Sequence, residues 1–218
     1  MSAAPASSVA VLCDFDGTIT TGEVLDILYR QFAGADCREL VQLWLQGEIS
    51  TPQEVQGCFA TMTATRSEME VALNIVQVDP AFRAFVDFCR GRHYRFAVLS
   101  DGLQWYIQYI LGRHGISALT IYANQIEFLP DGIRISFPWY SPETPLRGTS
   151  KPAIIRRYQK EGSQVVFIGD GPSDVEAAEV AEMVYAKSRL LDYCRKQDIP
   201  AIGFTSFADL VELWKAPK

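Results

Sequence analysis

Apolar residues along this chain form two alternating patterns, short continuous runs and longer stretches with helical spacing. Each short run has the length and composition of a buried β-strand. Six such runs are predicted strands, at residues 9–13, 95–100, 119–123, 165–168, 184–186 and 201–204. Strands that alternate with helices predict an α/β fold, built on a Rossmann-like parallel sheet with right-handed crossovers.

Residues 22–78 differ from the rest of the chain because they contain helical patterns and no strand pattern. Four helical patterns follow one another, beginning near residues 24, 36, 51 and 67. The third has a capping residue at Ser50 and a proline in its first turn, which are typical of a helix start. We therefore predict two domains, an inserted all-helical cap (22–78) and an α/β core (1–21 and 79–218).

The C-terminal part of the chain adds helices and one hairpin. Residues 125–137 alternate around Asp131 and Gly132, which predicts an antiparallel β-hairpin. A turn-rich stretch, residues 138–150, then leads into a helix. The helices predicted outside the cap are at residues 80–92, 105–112, 151–160, 175–183, 189–197 and 206–214.

Composition and charge exclude several classes of function. The net charge of -6 argues against a general binder of nucleic acid backbones. No apolar run reaches membrane-spanning length, and the N-terminal MSAAPASS is expected to be a short disordered lead-in instead of a signal peptide. The five cysteines are widely spaced without a CxxC pair, which predicts reduced thiols in a cytoplasmic protein and no zinc site.

Polar side chains follow three of the predicted strands. These clusters are Asp14 with Asp16, Ser100 with Asp101 and Gly102, and Asp170 with Asp174, and Lys151 begins the helix before the last of them. The carboxyl ends of parallel strands lie at one edge of a sheet, where ligands of open α/β folds bind. Several carboxylates that face one point repel one another, so a cation or a proton must offset their charge.

Phosphoryl transfer is the chemistry that uses such a set of groups. One carboxylate can attack phosphorus and later be hydrolysed, and a second acid can protonate the leaving oxygen. Mg²⁺ prefers oxygen ligands, and a lysine can offset charge in the transition state. The two histidines, His93 and His114, lie in predicted surface turns, so a histidine-based triad or metal site is not expected.

Two segments resemble motifs of the haloacid dehalogenase superfamily of phosphatases. DFDGT (14–18) is similar to its DxDGT motif, and GDGPSD (169–174) is similar to its GDxxxD motif. One subclass of the superfamily inserts a helical cap at the position of residues 22–78. The resemblance implies that Asp14 is the nucleophile that forms an aspartyl-phosphate, that Asp16 is the general acid/base, and that Lys151 is the lysine of the third motif.

The same resemblance implies the remaining site residues and the cofactor. Mg²⁺ would be held by Asp14, Asp16 through its backbone carbonyl, Asp170 and Asp174. The phosphate-binding serine is Ser100. The full set of expected substrate-binding residues is Thr18, Glu23, Ser100, Asp101 and Gly102. The expected partner is a small phosphate ester, with no nucleic acid and no membrane; the oligomeric state is not predicted.

Two families with this helical cap suggest candidate substrates. Phosphoserine phosphatases have a glutamate at the position of Glu23, but the arginine-containing segment expected at 55–75 is missing, and Arg66 is the sole basic residue there. The methionine-salvage phosphatases are more similar. Their IGDSxTDVEAAK pattern resembles IGDGPSDVEAAE (168–179), and FPWY followed by GTSK (148–151) also resembles them, although their cysteines before the lysine are absent.

Other classes of function remain open. A phosphotransferase would pass the phosphoryl group to an alcohol, and a non-catalytic regulatory protein would bind phosphate without turnover. A receiver-like signalling domain also combines acids and a lysine on a parallel sheet, but the helical insertion disfavours it. Retention of both Asp14 and Asp16 argues against a decayed site.

Overall fold

The computed structural model describes residues 8–130 and 132–215, and a seven-stranded sheet forms its centre. The strands are β1 (Ser8–Cys13), β2 (Arg95–Leu103), β3 (Thr120–Leu129), β4 (Gly132–Ser136), β5 (Ser163–Gly169), β6 (Met183–Ala186) and β7 (Ile202–Gly203). Their order is β4-β3-β2-β1-β5-β6-β7, with β4 antiparallel to β3 and the other neighbours parallel. The predicted α/β fold is confirmed. Residues 1–7 of the predicted lead-in and Asp131 lie outside the described residues, while Ser8, its last residue, begins β1.

Helices fill the segments between the strands. They are α1 (Val24–Phe32), α2 (Asp36–Leu45), α3 (Thr51–Ala60), α4 (Arg66–Ala72), α5 (Phe82–Gly91), α6 (Gln104–Arg113), α7 (Lys151–Lys160), α8 (Val175–Ala178), α9 (Ser188–Lys196) and α10 (Phe207–Lys215). Short 3₁₀ turns lie at Leu73–Ile75 and Pro172–Asp174. Among the residues that the structure describes, no helix has the length and apolar character needed to cross a membrane.

The first four helices leave the sheet region and return to it at neighbouring points. Thr20 and Val78 form an isolated antiparallel bridge, and the backbone N–H of Asp79 donates to the Ile19 carbonyl at 2.9 Å. This pairing closes a helical excursion of the chain that begins and ends beside the end of β1. It fits the predicted boundaries of the insertion, and the division into two domains stays a prediction.

Strand β1 is apolar along its length because both of its faces are covered. Val11 and Cys13 belong to one buried cluster with helices α5, α6 and α10, whereas Ala10 and Leu12 belong to a second cluster with α7 and α9. Alternate side chains of a strand point to opposite faces, so a central strand of a three-layer fold has no polar face.

Two predicted elements differ from the structure. The predicted strand at 119–123 and the first arm of the hairpin form one continuous strand, β3, which pairs with β2 in its first half and with β4 in its second. The predicted helix at 175–183 was too long. Its alanine and glutamate residues favour a helix, but α8 ends at Ala178, and Met183 already pairs with β5 as part of β6.

The prediction that all cysteines are reduced was wrong. Cys37 in α2 and Cys58 in α3 form a disulfide with Cα atoms 4.6 Å apart, while Cys13, Cys89 and Cys194 are free and buried. The spacing of 21 residues does not reveal the pair. It forms because α2 packs against α3 and brings both thiols into contact.

Candidate active site

The loop after β1 carries Asp14 to the carboxyl edge of the sheet. The backbone N–H of Asp14 donates to the Ile168 carbonyl of β5 at 2.9 Å, which continues the strand pairing up to the acid. Gly17 then turns the chain with a φ of 74°. A Cβ atom at Gly17 would lie 2.6 Å from Oδ2 of Asp170, so both the turn and the close approach of Asp170 require glycine.

Lys151 joins two of the predicted strand-end acids. Its Nζ lies 2.6 Å from Oδ1 of Asp14 and 2.5 Å from Oδ1 of Asp174, and all three side chains are buried. The other oxygen of Asp174 accepts hydrogen bonds from the backbone N–H groups of Asp170 and Gly171. The lysine at the start of α7 is thus held at the same point as the acids that follow β1 and β5.

Burial and neighbouring charge control ionisation in this cluster. Burial, and next the Asp174 carboxylate, raise the pKa of Asp14 well above its ordinary value. Burial opposes the charge of Lys151, but the Asp14 and Asp174 carboxylates raise the pKa of the lysine above its ordinary value. The lysine therefore remains positively charged between its two carboxylate neighbours.

The cluster has the donor set of a magnesium site. One carboxylate oxygen each from Asp14, Asp170 and Asp174 lies within 4.8 Å of the others. Three carboxylates outnumber the single charge of Lys151, so a divalent cation with a preference for oxygen ligands fits the site. The Asp16 carboxylate is not part of this group, and the expected contribution of its backbone carbonyl stays a prediction.

Asp16 occupies a separate, hydrogen-bonded position beside the cluster. Its carboxylate accepts hydrogen bonds from the Val24 backbone N–H at 3.0 Å, the Tyr106 hydroxyl at 2.7 Å and the Ser100 hydroxyl at 3.3 Å. Burial raises the pKa of Asp16 to about 6, against the opposing effect of these hydrogen bonds. An acid of this pKa exchanges a proton readily near neutral pH.

The three residues predicted at the end of the second strand, Ser100, Asp101 and Gly102, lie in an irregular part of β2. Between Leu99 and Leu103 the pairing of β2 with β3 is irregular, as in a β-bulge, and this irregularity contains Ser100, Asp101 and Gly102. A Cβ atom at Gly102 would collide with the Tyr106 hydroxyl, so glycine leaves room for the contact of Tyr106 with Asp16.

Asp101 connects three parts of the structure. Its Oδ1 accepts hydrogen bonds from the backbone N–H groups of Gly148 and Thr149, both at 2.8 Å. Its Oδ2 accepts a hydrogen bond from the Thr51 hydroxyl in α3 at 2.8 Å. These contacts favour a role in holding helix α3 and the 148–149 loop, and direct binding of substrate by Asp101 stays a prediction.

Thr18 is fully buried, and its hydroxyl donates to Oδ1 of Asp170 at 2.8 Å. This contact favours a role in orienting the Asp170 carboxylate, and binding of the substrate by Thr18 stays a prediction. Lys187, which the sequence analysis did not select, donates from Nζ to the Thr18 carbonyl at 3.1 Å.

A cavity of about 1230 Å³ opens above the cluster. Asp14, Asp16, Ser100 and Asp170 line its floor, and residues of α1, α2 and α3 line the opposite side. Glu23 lines its wall, and partial burial of the carboxylate, followed by the charge of Asp16, raises the pKa of Glu23 to about 7. The structure thus brings four of the predicted strand-end acids to one cavity, Asp14, Asp16, Asp101 and Asp170, while Asp174 lies buried beneath them against Lys151.

Several residues at or beside this cavity received no role at the site from the sequence analysis. Tyr106, Tyr29 and Trp44 have the apolar spacing of core positions, and no local signal separates a core tyrosine from one that donates to Asp16. Glu54 is a first-turn acid of α3, which the sequence explains by the helix dipole alone. Arg66, by contrast, pairs with Glu70 and does not line the cavity.

Comparisons with known proteins agree with this geometry. The sequence model of the haloacid dehalogenase-like hydrolase family matches residues 11–179. A 2-hydroxy-3-keto-5-methylthiopentenyl-1-phosphate phosphatase from Brevibacillus brevis is 28% identical over 209 residues, which cover 94% of each chain. A Schizosaccharomyces pombe protein named Pdp3-interacting factor 1 is 31% identical and covers 92% of each chain.

A solved structure has the same fold. It is a phospho-aspartyl intermediate analogue of phosphoserine phosphatase, which superposes with a TM-score of 0.70 over 95% of this chain and 99% of its own. The two sequences are 19% identical, so the likeness concerns the fold alone.

Proposed function

The chain belongs to the haloacid dehalogenase-like hydrolase family, and we propose that it hydrolyses a small phosphate monoester through a phosphorylated Asp14. The family and the phosphatase names of its relatives support hydrolysis of a phosphoric monoester. One observation carries the two-step route. Asp14 is paired with a charged lysine beside two further carboxylates, while Asp16 lies apart with a pKa of about 6.

In the first step, an oxygen of Asp14 attacks phosphorus, and the bond from phosphorus to the alcohol oxygen breaks. Asp16 gives its proton to that leaving oxygen, so the alcohol departs neutral. In the second step, Asp16 takes a proton from water as the water oxygen attacks phosphorus. The bond to Asp14 then breaks, and inorganic phosphate leaves.

Positive charge is needed because Asp14 and the phosphate are both anionic. Lys151 provides one charge within hydrogen-bond distance of Asp14. Mg²⁺, held by Asp14, Asp170, Asp174 and the backbone carbonyl of Asp16, would further offset the repulsion between the nucleophile and the phosphate. Ser100 and the backbone N–H groups of its loop are proposed to hold phosphoryl oxygens.

The names of the relatives suggest the first substrate to test. The Brevibacillus brevis relative carries the name of a methionine-salvage phosphatase, so its phosphopentenyl ester is the first compound to test. Phosphoserine is the alternative, but Arg66 is held by Glu70 and stacks on Phe128. Recognition of the phosphoserine carboxylate would therefore require another basic residue.

Hydrolysis of p-nitrophenyl phosphate by the wild type and by Asp14→Asn tests this function. Turnover with Mg²⁺ should fall by several orders of magnitude in the variant and should stop with EDTA. Asp87→Asn is the matched control, because Asp87 is an exposed residue of α5. Substantial activity of Asp14→Asn would remove Asp14 as the nucleophile. If turnover depends on Mg²⁺ and on Asp14, a panel of esters that begins with the methionine-salvage compound and phosphoserine identifies the substrate.

A further inference from the structure

Glu54 is a buried carboxylate that the proposed phosphoryl chemistry does not use. It lies in the first turn of α3, three residues after Thr51, and both side chains face the cavity. The link from Thr51 to Asp101 holds this face of the helix in place. Glu54 is only 4% exposed, and among the described residues no lysine, arginine or histidine nitrogen lies within 4.0 Å of its carboxylate.

The charged groups near Glu54 further destabilise its ionised form. Burial has the largest effect on the pKa of Glu54 and raises it, the Tyr29 hydroxyl lowers it, and the Asp101 and Asp26 carboxylates raise it, so the charges that act on Glu54 are negative. A buried carboxylate without a cation or a full set of hydrogen bonds destabilises a protein. Such a group is retained at lower cost when a ligand supplies the missing positive charge.

A second unpartnered group lies at the same end of the cavity. The Tyr29 hydroxyl is buried and forms no well-aligned hydrogen bond, but it lies close enough to Glu54 to act as a donor that lowers the pKa of this carboxylate. The ring of Tyr29 packs edge-on against Phe59 at 6.1 Å between centroids, which restricts the direction of the hydroxyl. Tyr29 also lines the cavity.

A carboxylate that no cation neutralises, next to a hydroxyl oxygen that can still accept, forms a site for a group with several N–H bonds and a positive charge. We propose that Glu54 and Tyr29 bind an ammonium group on the alcohol part of the phosphate ester. This inference rests on the proposed phosphatase function, because the phosphate is taken to lie at Asp14 on the cavity floor. It implies a substrate whose alcohol part carries a positive charge.

The site differs from the position of Glu23. The charges that act on Glu23 are led by Asp16 and Asp170, beside the phosphate end, whereas those that act on Glu54 come from Asp101 and Asp26. The ester named for the Brevibacillus brevis relative contains no nitrogen, so the inference separates the substrate of this chain from that compound.

Matched pairs of esters test the inference. One series is ω-aminoalkyl phosphates with two to six carbons, and the other replaces each ammonium group by a methyl group. We expect that at the best length the amine has a kcat/KM about tenfold or more above that of its alkyl partner, the worth of a charged hydrogen bond. Glu54→Gln should reduce this ratio to near one, and Tyr29→Phe should reduce it by a smaller factor.

The matched control is Glu48→Gln, since Glu48 is an exposed acid of the same region that does not line the cavity. It should leave the preference ratio unchanged. A ratio near one at every length, with p-nitrophenyl phosphate still hydrolysed, would overturn the inference and leave the phosphatase function intact. Better turnover of hydroxyalkyl or ketone esters would also overturn it, since a protonated Glu54 would then donate a hydrogen bond instead.

Binding of the corresponding phosphonates, measured by calorimetry, keeps the inference testable without turnover. If no ester is hydrolysed even with Mg²⁺, the proposed function fails on its own. Tighter binding of the aminoalkyl phosphonates than of the alkyl ones, lost in Glu54→Gln, would still support the subsite. Equal binding of both would refute it. If Glu54→Gln fails to fold, Tyr29→Phe provides the same comparison.

Discussion

Replacement of Glu54 by glutamine should change the pH dependence of stability in a direction that the structure determines. Burial raises the pKa of Glu54 from an ordinary value of 4.5 to about 7. Since one pKa unit corresponds to about 1.4 kcal/mol, the ionised carboxylate destabilises the fold by about 3 kcal/mol above pH 7. Glutamine has nearly the same shape and carries no charge, so it removes this cost.

The sign follows from proton binding. Between pH 4.5 and 7 the folded protein keeps Glu54 protonated, whereas the unfolded chain ionises it. The folded state thus binds more protons, and the free energy of unfolding of the wild type falls as the pH rises through this range. Relative to the wild type, Glu54→Gln should gain about 2.5 kcal/mol of stability between pH 5 and pH 8.

Urea unfolding of both proteins at pH 5, 6, 7 and 8, without ligand, measures this difference. The cost of burying the glutamine amide is constant with pH, so it cancels in the comparison. Glu48→Gln, an exposed substitution, should show no such trend. If the free energies of unfolding of Glu54→Gln and wild type differ by an amount that is constant with pH within about 0.5 kcal/mol, Glu54 is not a buried carboxylate with a raised pKa.

Two further predictions concern the disulfide and Tyr106. Reduction of the Cys37–Cys58 bond, or replacement of both cysteines by alanine, should lower the free energy of unfolding by about 3 kcal/mol for a loop of this length. Urea unfolding with and without dithiothreitol measures this change. Dithiothreitol should not affect the alanine variant. Tyr106→Phe removes the 2.7 Å hydrogen bond to Asp16 and should slow hydrolysis of alkyl esters about tenfold more than that of p-nitrophenyl phosphate. Equal slowing would contradict a positioning role at Asp16.

Local patterns predicted the strands and helices that hold the site. β1 and β5 are apolar runs that end in acids, and the change from apolar to charged residues marks the strand end in the sequence. The helix predicted at 175–183 was too long because a contact between distant residues overrides the local pattern there. Helix propensity in that segment yields to the pairing of β6 with β5, which is a contact between distant residues.

Contacts between distant positions account for what the sequence could not predict at the site. The Tyr106 hydroxyl and Asp16 are 90 residues apart, Thr51 and Asp101 are 50 apart, and the disulfide spans 21. A helical apolar pattern indicates that a side chain faces inward, but it does not identify the partner of the polar atom it carries.

The sequence by itself determined the order of strands and helices and therefore which acids meet at one edge of the sheet. This follows because parallel strands share the direction of their carboxyl ends, whatever their separation along the chain. Only the tertiary structure decided how those acids behave: Asp14 paired with Lys151, Asp16 held by Tyr106, and Glu54 left without a cation. Ionisation depends on burial and on neighbouring charges, and both are properties of the folded packing.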